Sequence, residues 1–539
     1  MDSNQKTPPS FMTAQGRQAA AGYLKQAIAG YCGNPFIEAL PPIKTEDQAI
    51  EDLGRFPPYD ASERRMPTHL RLHAIQNSLQ CFVALPVHID LEQRFSRMIR
   101  GGYQNRNPVA PGHWRSLNEQ CKNLSCSTSV IQNSAHAIQL GFTIIGFSGV
   151  GKSTSVESVL SLYPQVIYHS HYAQRDLQVA QVVWLKLECP FDGSPKGLCI
   201  NFFQALDLLL NTNYKRNYAE GRRTTDELLP NMARVAGIHG LGVLVIDEIN
   251  RLSGLKSDGA LKLLSFFVQL TNSMGIPIVL VGTYKAKQVL SGEFHQIRRG
   301  TGQGDLVWDR MEEGEWVEND RHRKKRPKQS PGVWQLLIES LWTYQYTRKI
   351  CPLTKELAQV LYEETQGITD FAAKIYMLAQ IRAIVTAPTP DDEVITEDII
   401  RSVARDSLKQ AQPVLSALRS GNTEYLSQVP DVNPIPIDKF VQKALKDLKT
   451  QQSSPTKPSP AKQVKPTPYG ELPNKRPAPS KGLKSKSKKR KEDPAFEEDD
   501  LRAAYSKAAS TKTSVFTVLQ EAGHIGESAA LLEEGETAK

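Results

Sequence analysis

The sequence predicts an α/β fold: a three-layer αβα sandwich with a parallel central sheet, arranged around a phosphate-binding loop. Three observations predict it. The stretch Gly146-Phe147-Ser148-Gly149-Val150-Gly151-Lys152-Ser153 satisfies G-x-x-x-x-G-K-[ST] in full. The run Leu241-Gly242-Val243-Leu244-Val245-Ile246 is continuously apolar and ends in Asp247-Glu248. Such a run fits a parallel strand buried on both faces. Between and beyond these stretches, strand-like and helix-like segments alternate, which implies a parallel sheet covered by helices.

The glycine loop has the context its chemistry needs. Phe142, Thr143, Ile144 and Ile145 read as a short buried strand leading in. Thr154 to Leu162 read as a helix leading out, with Val156, Val159 and Leu160 on one face. Glycines let backbone N–H groups wrap phosphates, and the helix N-terminus adds partial positive charge. Gly146, Ser148, Gly149, Val150, Gly151, Lys152, Ser153 and Thr154 are therefore the candidate nucleotide contacts. Lys152 can reach the β- and γ-phosphates, and the Ser153 hydroxyl can hold Mg²⁺.

The remaining elements follow in chain order. Residues 1–115 read as an N-terminal arm and helical segment. Phe11 to Tyr31 has helical composition, and residues 67–100 show helical spacing through Leu70, Leu72, Ile75, Leu79 and Phe82. Residues 101–115 are rich in Gly, Pro and Asn and read as a loop. The core occupies 116–331. Val182 to Leu187 is a strand rich in β-formers, residues 196–218 and 226–239 are helical, and Asp226 is the expected N-cap of the second. Leu261 to Asn272 is helical, Ile276 to Val281 is another core strand, and 308–331 is a charged insertion or linker. Residues 332–420 form an all-α unit of lid size. From 421 a Pro/Lys-rich tail begins that cannot support a core, with a short terminal segment, Phe496 to Ile525, suited to partner binding.

Composition bounds the function. The chain has 539 residues and 40% hydrophobic content, enough for about three domains. No apolar run is long enough to cross a membrane, and Met1 to Ser10 lacks the apolar stretch of a secretion signal. The seven scattered cysteines suggest reduced thiols and a cytosolic protein. Cys121 and Cys126 have no second close pair, which makes a zinc site a weak expectation. His169 and His171 alternate on an expected strand edge and read as surface residues. The net charge is +9, but residues 451–491 hold twelve Lys/Arg and one Glu. Removing that +11 leaves the rest near −2, so the folded body carries no bulk nucleic-acid signal.

Further residues carry candidate chemistry. Asp247 ends a buried strand, where a Mg²⁺-organising carboxylate belongs, and Glu248 can orient and deprotonate an attacking water. Thr283, after the third core strand, reads equally as a γ-phosphate or water contact and as a helix N-cap. Lys374 on a lid helix reads as a nucleotide contact or a solvated lysine. Arg298 and Arg299 lie in a glycine-flanked basic loop, either an arginine finger for a neighbouring subunit or a surface loop. Lys256 and Lys262 flank the start of a helix whose polar face, Lys262, Ser265, Gln269 and Asn272, tracks phosphates or is simply solvated. The lysine run from Lys481 to Lys491 fits a nucleic-acid tail, a partner-binding arm or a nuclear import signal.

These stretches together resemble the AAA+ ATPases, and within them the TnsC/TniB type of transposition regulator. The similarity runs from about residue 67 to 390. Its specific parts are Leu244-Val245-Ile246-Asp247-Glu248-Ile249-Asn250, Leu280-Val281-Gly282-Thr283-Tyr284, and Phe294-His295-Gln296-Ile297-Arg298-Arg299-Gly300 with Trp308-Asp309-Arg310 following. The long arm and basic tail resemble the longer TnsC form. The resemblance implies an ATP- and Mg²⁺-dependent homo-oligomer, ring or filament, on double-stranded DNA in the bacterial cytoplasm. It would link a target-selecting protein to the transposase, the tail contacting the latter. By position, Lys152 and Ser153 would bind nucleotide and Mg²⁺, Asp247 organise Mg²⁺, Glu248 activate water and Thr283 act as sensor. Arg298 or Arg299 would act in trans, and Lys256 and Lys262 would meet DNA. Lys374 departs from the arginine usual at its position. A replication-initiator or loader ATPase is the alternative, and a non-hydrolysing nucleotide-dependent scaffold a second.

Overall fold

A computed structural model describes residues 10–12, 16–125, 141–254, 263–267, 270–271, 274–286, 304–317 and 331–421, with residues 437 and 442. Among these residues the strands form two sheets. The central sheet has the order β6-β7-β8-β3-β9, built from Trp184–Glu188 (β6), Val243–Asp247 (β7), Ile278–Gly282 (β8), Gly141–Gly146 (β3) and Leu306–Trp308 (β9). Every neighbouring pair is parallel. The parallel αβα expectation is met.

Strand periodicity explains the two covered faces. Successive side chains of a strand point to opposite sides of the sheet. In β7, Leu244 and Ile246 join one apolar cluster while Val243 and Val245 join another. The first cluster is covered by helices Pro195–Leu210 (α7) and Thr225–Ile238 (α8), through Phe202, Phe203, Leu206, Met232 and Ala236. The second is covered by Pro86–Gln104 (α4) and Lys152–Ser161 (α6), through Leu91, Phe95, Met98, Val156 and Val159. A strand buried on both faces is apolar along its length, as β8 is and as β7 is up to Asp247 at its end.

The second sheet has the order β1-β2-β4-β5, from Ser10–Met12, Arg17–Ala20, Val166–Tyr172 and Arg175–Val182. It corrects two expectations. The stretch Phe11 to Tyr31 is not one helix: Arg17–Ala20 is a strand lying parallel to β4, and among the described residues helical structure is confined to a 3₁₀ turn at Ala29–Tyr31. Pairing with Ile167 and Tyr168 outweighs the helix preference of Ala19 and Ala20, because intrinsic propensity is a weak prior. His169 is not a surface residue. It is buried, with Nδ1 against the Tyr23 hydroxyl at 2.9 Å and Nε2 against Gln181 Oε1 at 2.8 Å. Burial holds its pKa below the ordinary histidine value. His171 is exposed and faces Asp176.

Smaller differences follow from local packing. The apolar run from Val182 to Leu187 serves two sheets, β5 ending at Val182 and β6 starting at Trp184. Thr224, not Asp226, is the N-cap residue of α8, and Asp226 sits in the first turn where its charge suits the helix dipole. The expected loop from 101 is shorter, because α4 runs to Gln104 and the helix His113–Ser125 (α5) begins within it. The helices expected across 67–100 form as Thr68–Ala74 (α3), a 3₁₀ segment Ile75–Gln80, and α4.

The C-terminal helices Val333–Trp342 (α9), Lys355–Thr365 (α10), Thr369–Thr386 (α11), Glu397–Ser407 (α12) and Gln412–Ser420 (α13) form the lid. Thr354 and Thr396 cap α10 and α12 by accepting from Leu357 N–H and Ile399 N–H. The lid core takes in Leu72 and Ile75 of the N-terminal segment. Arg71 crosses to Glu393 through two hydrogen bonds, Nη1 to Oε2 at 2.6 Å and Nη2 to Oε1 at 2.8 Å, and donates to the Tyr346 carbonyl at 2.8 Å. Both side chains are buried, at 1% and 5% exposure. Removing one partner leaves a buried charge alone. Glu393→Ala is therefore expected to lower unfolding stability by about 3–5 kcal/mol. The double variant Arg71→Met with Glu393→Met should recover much of that loss. Urea unfolding followed by circular dichroism checks both.

Candidate functional site

The glycine loop leaves the carboxyl end of β3 and enters α6. A side chain at Gly146 would run into the Trp308 carbonyl of the adjacent strand β9. Gly149 and Gly151 adopt φ of +84° and +91°, values that favour glycine. The loop therefore closes into a concave cradle with the α6 N-terminus at its base, the arrangement that suits phosphate. Lys152 is buried, and its Nζ donates to the carbonyls of Gly146 at 3.1 Å and Phe147 at 2.6 Å, holding the ammonium within the loop. Ser153 is half-buried in the first helical turn and Thr154 is exposed beside it. Ser148 is half-buried; Val150 places its side chain in the sandwich core, which leaves its backbone for ligand contact.

The strand order places the acidic residues. β8 separates β3 from β7, so Asp247 lies two strand spacings from the loop strand, about 10 Å across the sheet. Asp247 is buried at the carboxyl end of β7. Its Oδ1 accepts from Glu248 N–H at 2.8 Å, and its Oδ2 meets Lys186 Nζ at 3.0 Å. Lys186 also donates to Glu157 at 2.5 Å. Burial opposes its charge, but the bond to Glu157 and the nearby Asp247 carboxylate outweigh this and hold the ammonium pKa above the ordinary lysine value. Ser153 and Asp247 are oxygen donors of the kind Mg²⁺ takes.

Glu248 has φ of +57°, a left-handed conformation that costs energy in a residue with a side chain. Such strain is kept where the surroundings enforce it. The Glu248 backbone is held on both sides, its N–H by Asp247 Oδ1 at 2.8 Å and its carbonyl by Arg251 N–H at 3.0 Å, while the Asn250 side chain positions its carboxylate. Asn250 Nδ2 donates to Glu248 Oε2 at 3.1 Å, and Asn250 Oδ1 accepts from Thr283 N–H at 3.3 Å. Thr283 follows β8, between the loop strand and the Asp247 strand. Its Oγ1 is buried and makes no hydrogen bond among the described residues. A buried hydroxyl left without a partner at a phosphate cradle fits a ligand oxygen or a water.

The lid meets this site directly. Thr369 Oγ1 and Asp370 N–H, at the start of α11, both donate to the Gly149 carbonyl at 3.0 Å. Lys374 donates to Asp370 Oδ2 at 2.7 Å, so it stands one helical turn behind this contact. A second tie runs from Met311 N–H to the Gly367 carbonyl at 3.1 Å, and a third from Arg310 Nη1 to Gln366 Oε1 at 2.7 Å. Phe147 packs edge-on against Tyr284 with ring centres 4.9 Å apart. Burial, and then the Asp309 charge, push the Tyr284 hydroxyl up to about 12, so it stays protonated.

Residues 139–290 match the AAA domain family AAA_22. These residues form an AAA-type ATPase domain. No curated protein sequence matches the chain. Among solved structures the chain is similar to a Walker-type ATPase of Pyrococcus abyssi, at 12% identity and a TM-score of 0.30, over 62% of this chain and 87% of that one. It is also similar to the Aeropyrum pernix ORC2 protein, at 11% identity and 0.30, over 64% and 96%. Cdc6p of Pyrobaculum aerophilum overlaps at 12% identity and 0.28, over 65% and 98%.

The AAA domain joins the glycine loop, Asp247, Glu248 and Thr283 at one edge of its sheet, and α11 brings Lys374 close to that edge. Arg298, Arg299, Lys256 and Lys262 lie outside the described residues. Four residues in contact with the site are given no role in the sequence reading. Asn250 stands two residues beyond Glu248 in the same motif, Lys186 is the one charged residue in an apolar strand stretch, and Thr369-Asp370 open a helix at the loop. Asn250→Ala should lower ATP turnover roughly 10- to 100-fold, the scale of misplacing a catalytic group by about 1 Å, with little change in KM for ATP. Steady-state kinetics check this, and a loss confined to KM contradicts it.

Proposed function

We propose that this protein is an ATP-dependent, DNA-binding oligomeric regulator of DNA transposition whose AAA domain works as a nucleotide switch. The observation that carries the switch is the lid contact at Gly149. The residues that would cradle phosphate and the helix that opens the lid share one carbonyl. A ligand that alters the loop then has different contacts in the two lid positions, which is what a population shift requires.

In this reading the backbone of Gly146, Ser148, Gly149, Val150, Gly151 and Thr154 cradles the phosphates, with Lys152 placing positive charge against them. Mg²⁺, held by Ser153 and Asp247, would neutralise charge on the phosphates. Glu248, held by Asn250, takes the proton from the attacking water, and Thr283 Oγ1 orients that water or the γ-phosphate. Arg298 or Arg299 of a neighbouring subunit would stabilise the transferred phosphoryl group, and Lys374 would tune the lid through Asp370. Lys256 and Lys262 would contact the DNA backbone. The basic tail would reach the transposase and another surface the target selector. Support for transposition comes from the motif resemblance around Asp247, Thr283 and Arg298. ATP between subunits favours assembly, and hydrolysis removes that contact and releases it.

The test is DNA binding and particle size with ADP, ATP and a slowly hydrolysed ATP analogue, for the natural chain and Lys152→Ala. Large DNA-bound particles should form only with the two ATP forms and be absent from the variant. DNA binding as a monomer, independent of nucleotide, contradicts the proposal.

A further inference from the structure

Lys186 is a cation on a face of the central sheet that is otherwise packed with apolar side chains. Along β6, Trp184 joins the cluster covered by α4 and α6, while Leu185 and Leu187 join the cluster on the other side. Strand alternation therefore puts Lys186 on the α6 face. It puts Asp247 on the same face, two residues beyond Val245. Packed apolar groups are often at least as stabilising as a buried ion pair, so stability alone does not call for a lysine here.

The ammonium bridges two elements of the nucleotide site. Its Nζ lies 3.0 Å from Asp247 Oδ2 and 2.5 Å from Glu157 Oε1. Glu157 stands four residues after Ser153 on α6, so the two share a helix face one turn apart. Lys186 thus sits between the helix that carries Ser153 and the strand that carries Asp247. The Asp247 side chain is 6% exposed and that of Glu157 60%. The deeper carboxylate feels the cation more strongly, because water screens it less.

Neighbouring groups are already committed. Asp247 Oδ1 accepts from Glu248 N–H at 2.8 Å, which leaves Oδ2 to the ammonium. Glu188, opposite Asp247 in the β6–β7 register, gives its Oε2 to Arg251 Nη2 at 3.0 Å. A divalent ion organised by Ser153 and Asp247 would share the Asp247 carboxylate with Lys186, and two cations drawn to one carboxylate oppose each other.

We infer that Lys186 is a built-in counter-ion of Asp247 that neutralises the carboxylate when no metal is held and competes with Mg²⁺ for it, while Glu157 draws the ammonium away. Lys186 is in this sense a positioning residue: acting through Asp247, it weakens Mg²⁺ binding and keeps the ion exchangeable. The inference rests on the reading of Asp247 as a Mg²⁺-organising residue and not on the transposition reading.

The test is the affinity of the full chain for a fluorescent, slowly hydrolysed ATP analogue, measured in Mg²⁺ and again in EDTA. The ratio of the two affinities isolates the contribution of the metal, whereas a general loss of packing lowers both alike. Lys186→Met keeps the apolar stem and removes the competing charge, so the ratio should rise about tenfold, the scale of one hydrogen bond to a charged group. Glu157→Gln, on the exposed side of α6, leaves the ammonium to Asp247, so the ratio should fall. Asp247→Asn should lower the ratio and make it insensitive to Lys186→Met. A ratio that Asp247→Asn leaves unchanged would remove the metal reading and the inference with it. A ratio lowered by Asp247→Asn but unchanged or lowered by Lys186→Met would overturn the inference alone. Should Lys186→Met fail to fold, Glu157→Gln decides, and a ratio it leaves unchanged or raises overturns the inference.

Discussion

The carbonyl of Gly149 is the constraint on which the site depends. It sits at the crest of a loop whose left-handed turns only glycine adopts easily, and it accepts two hydrogen bonds from the start of α11. A Cβ at Gly149 would press on Ile368 and Asp370 at 3.2 and 3.4 Å, so loop and lid approach as closely as they do because there is no side chain. The same helix start carries Asp370, which holds Lys374. The lid is not loosely tethered elsewhere: Arg71 and Glu393 lock it to the N-terminal segment in a buried, hydrogen-bonded ion pair. A lid fixed at one end and resting on the phosphate loop at the other can report the state of that loop.

Sheet topology does the rest of the positioning. Because β8 lies between β3 and β7, Thr283 emerges between the loop and the acidic pair. Asn250 then joins the two sides, one end on the Glu248 carboxylate and the other on Thr283 N–H. The left-handed backbone at Glu248 is kept by bonds on both sides, from Glu248 N–H to Asp247 Oδ1 and from Arg251 N–H to the Glu248 carbonyl. Gly282 fits the same arrangement, since a Cβ there would meet Ile249 at 2.7 Å and Asn250 at 3.3 Å.

Much of this was legible in the sequence. The glycine loop, the apolar β7 run and the acidic pair all depend on local pattern, and the structure forms them where the pattern lies. What local pattern could not show was pairing between distant segments. Arg17–Ala20 looks helical by composition, yet becomes a strand because β4 offers an open edge. His169 looks like an edge residue until Tyr23 and Gln181 close around it. Asn250 was visible as part of a motif, but its role depends on Thr283, 33 residues further on. Thr369 and Asp370 carry no phosphate-site signature, and their importance comes from a contact 220 residues away in sequence.

Amide hydrogen exchange at Asp370 tests the central claim most directly, measured on the full chain without nucleotide, with ADP and with ATP. Its N–H bonds to Gly149, so its protection reads the loop–lid contact itself. The account predicts protection that changes with nucleotide and differs between ADP and ATP. Equal protection in all three states, with ATP bound, would contradict it.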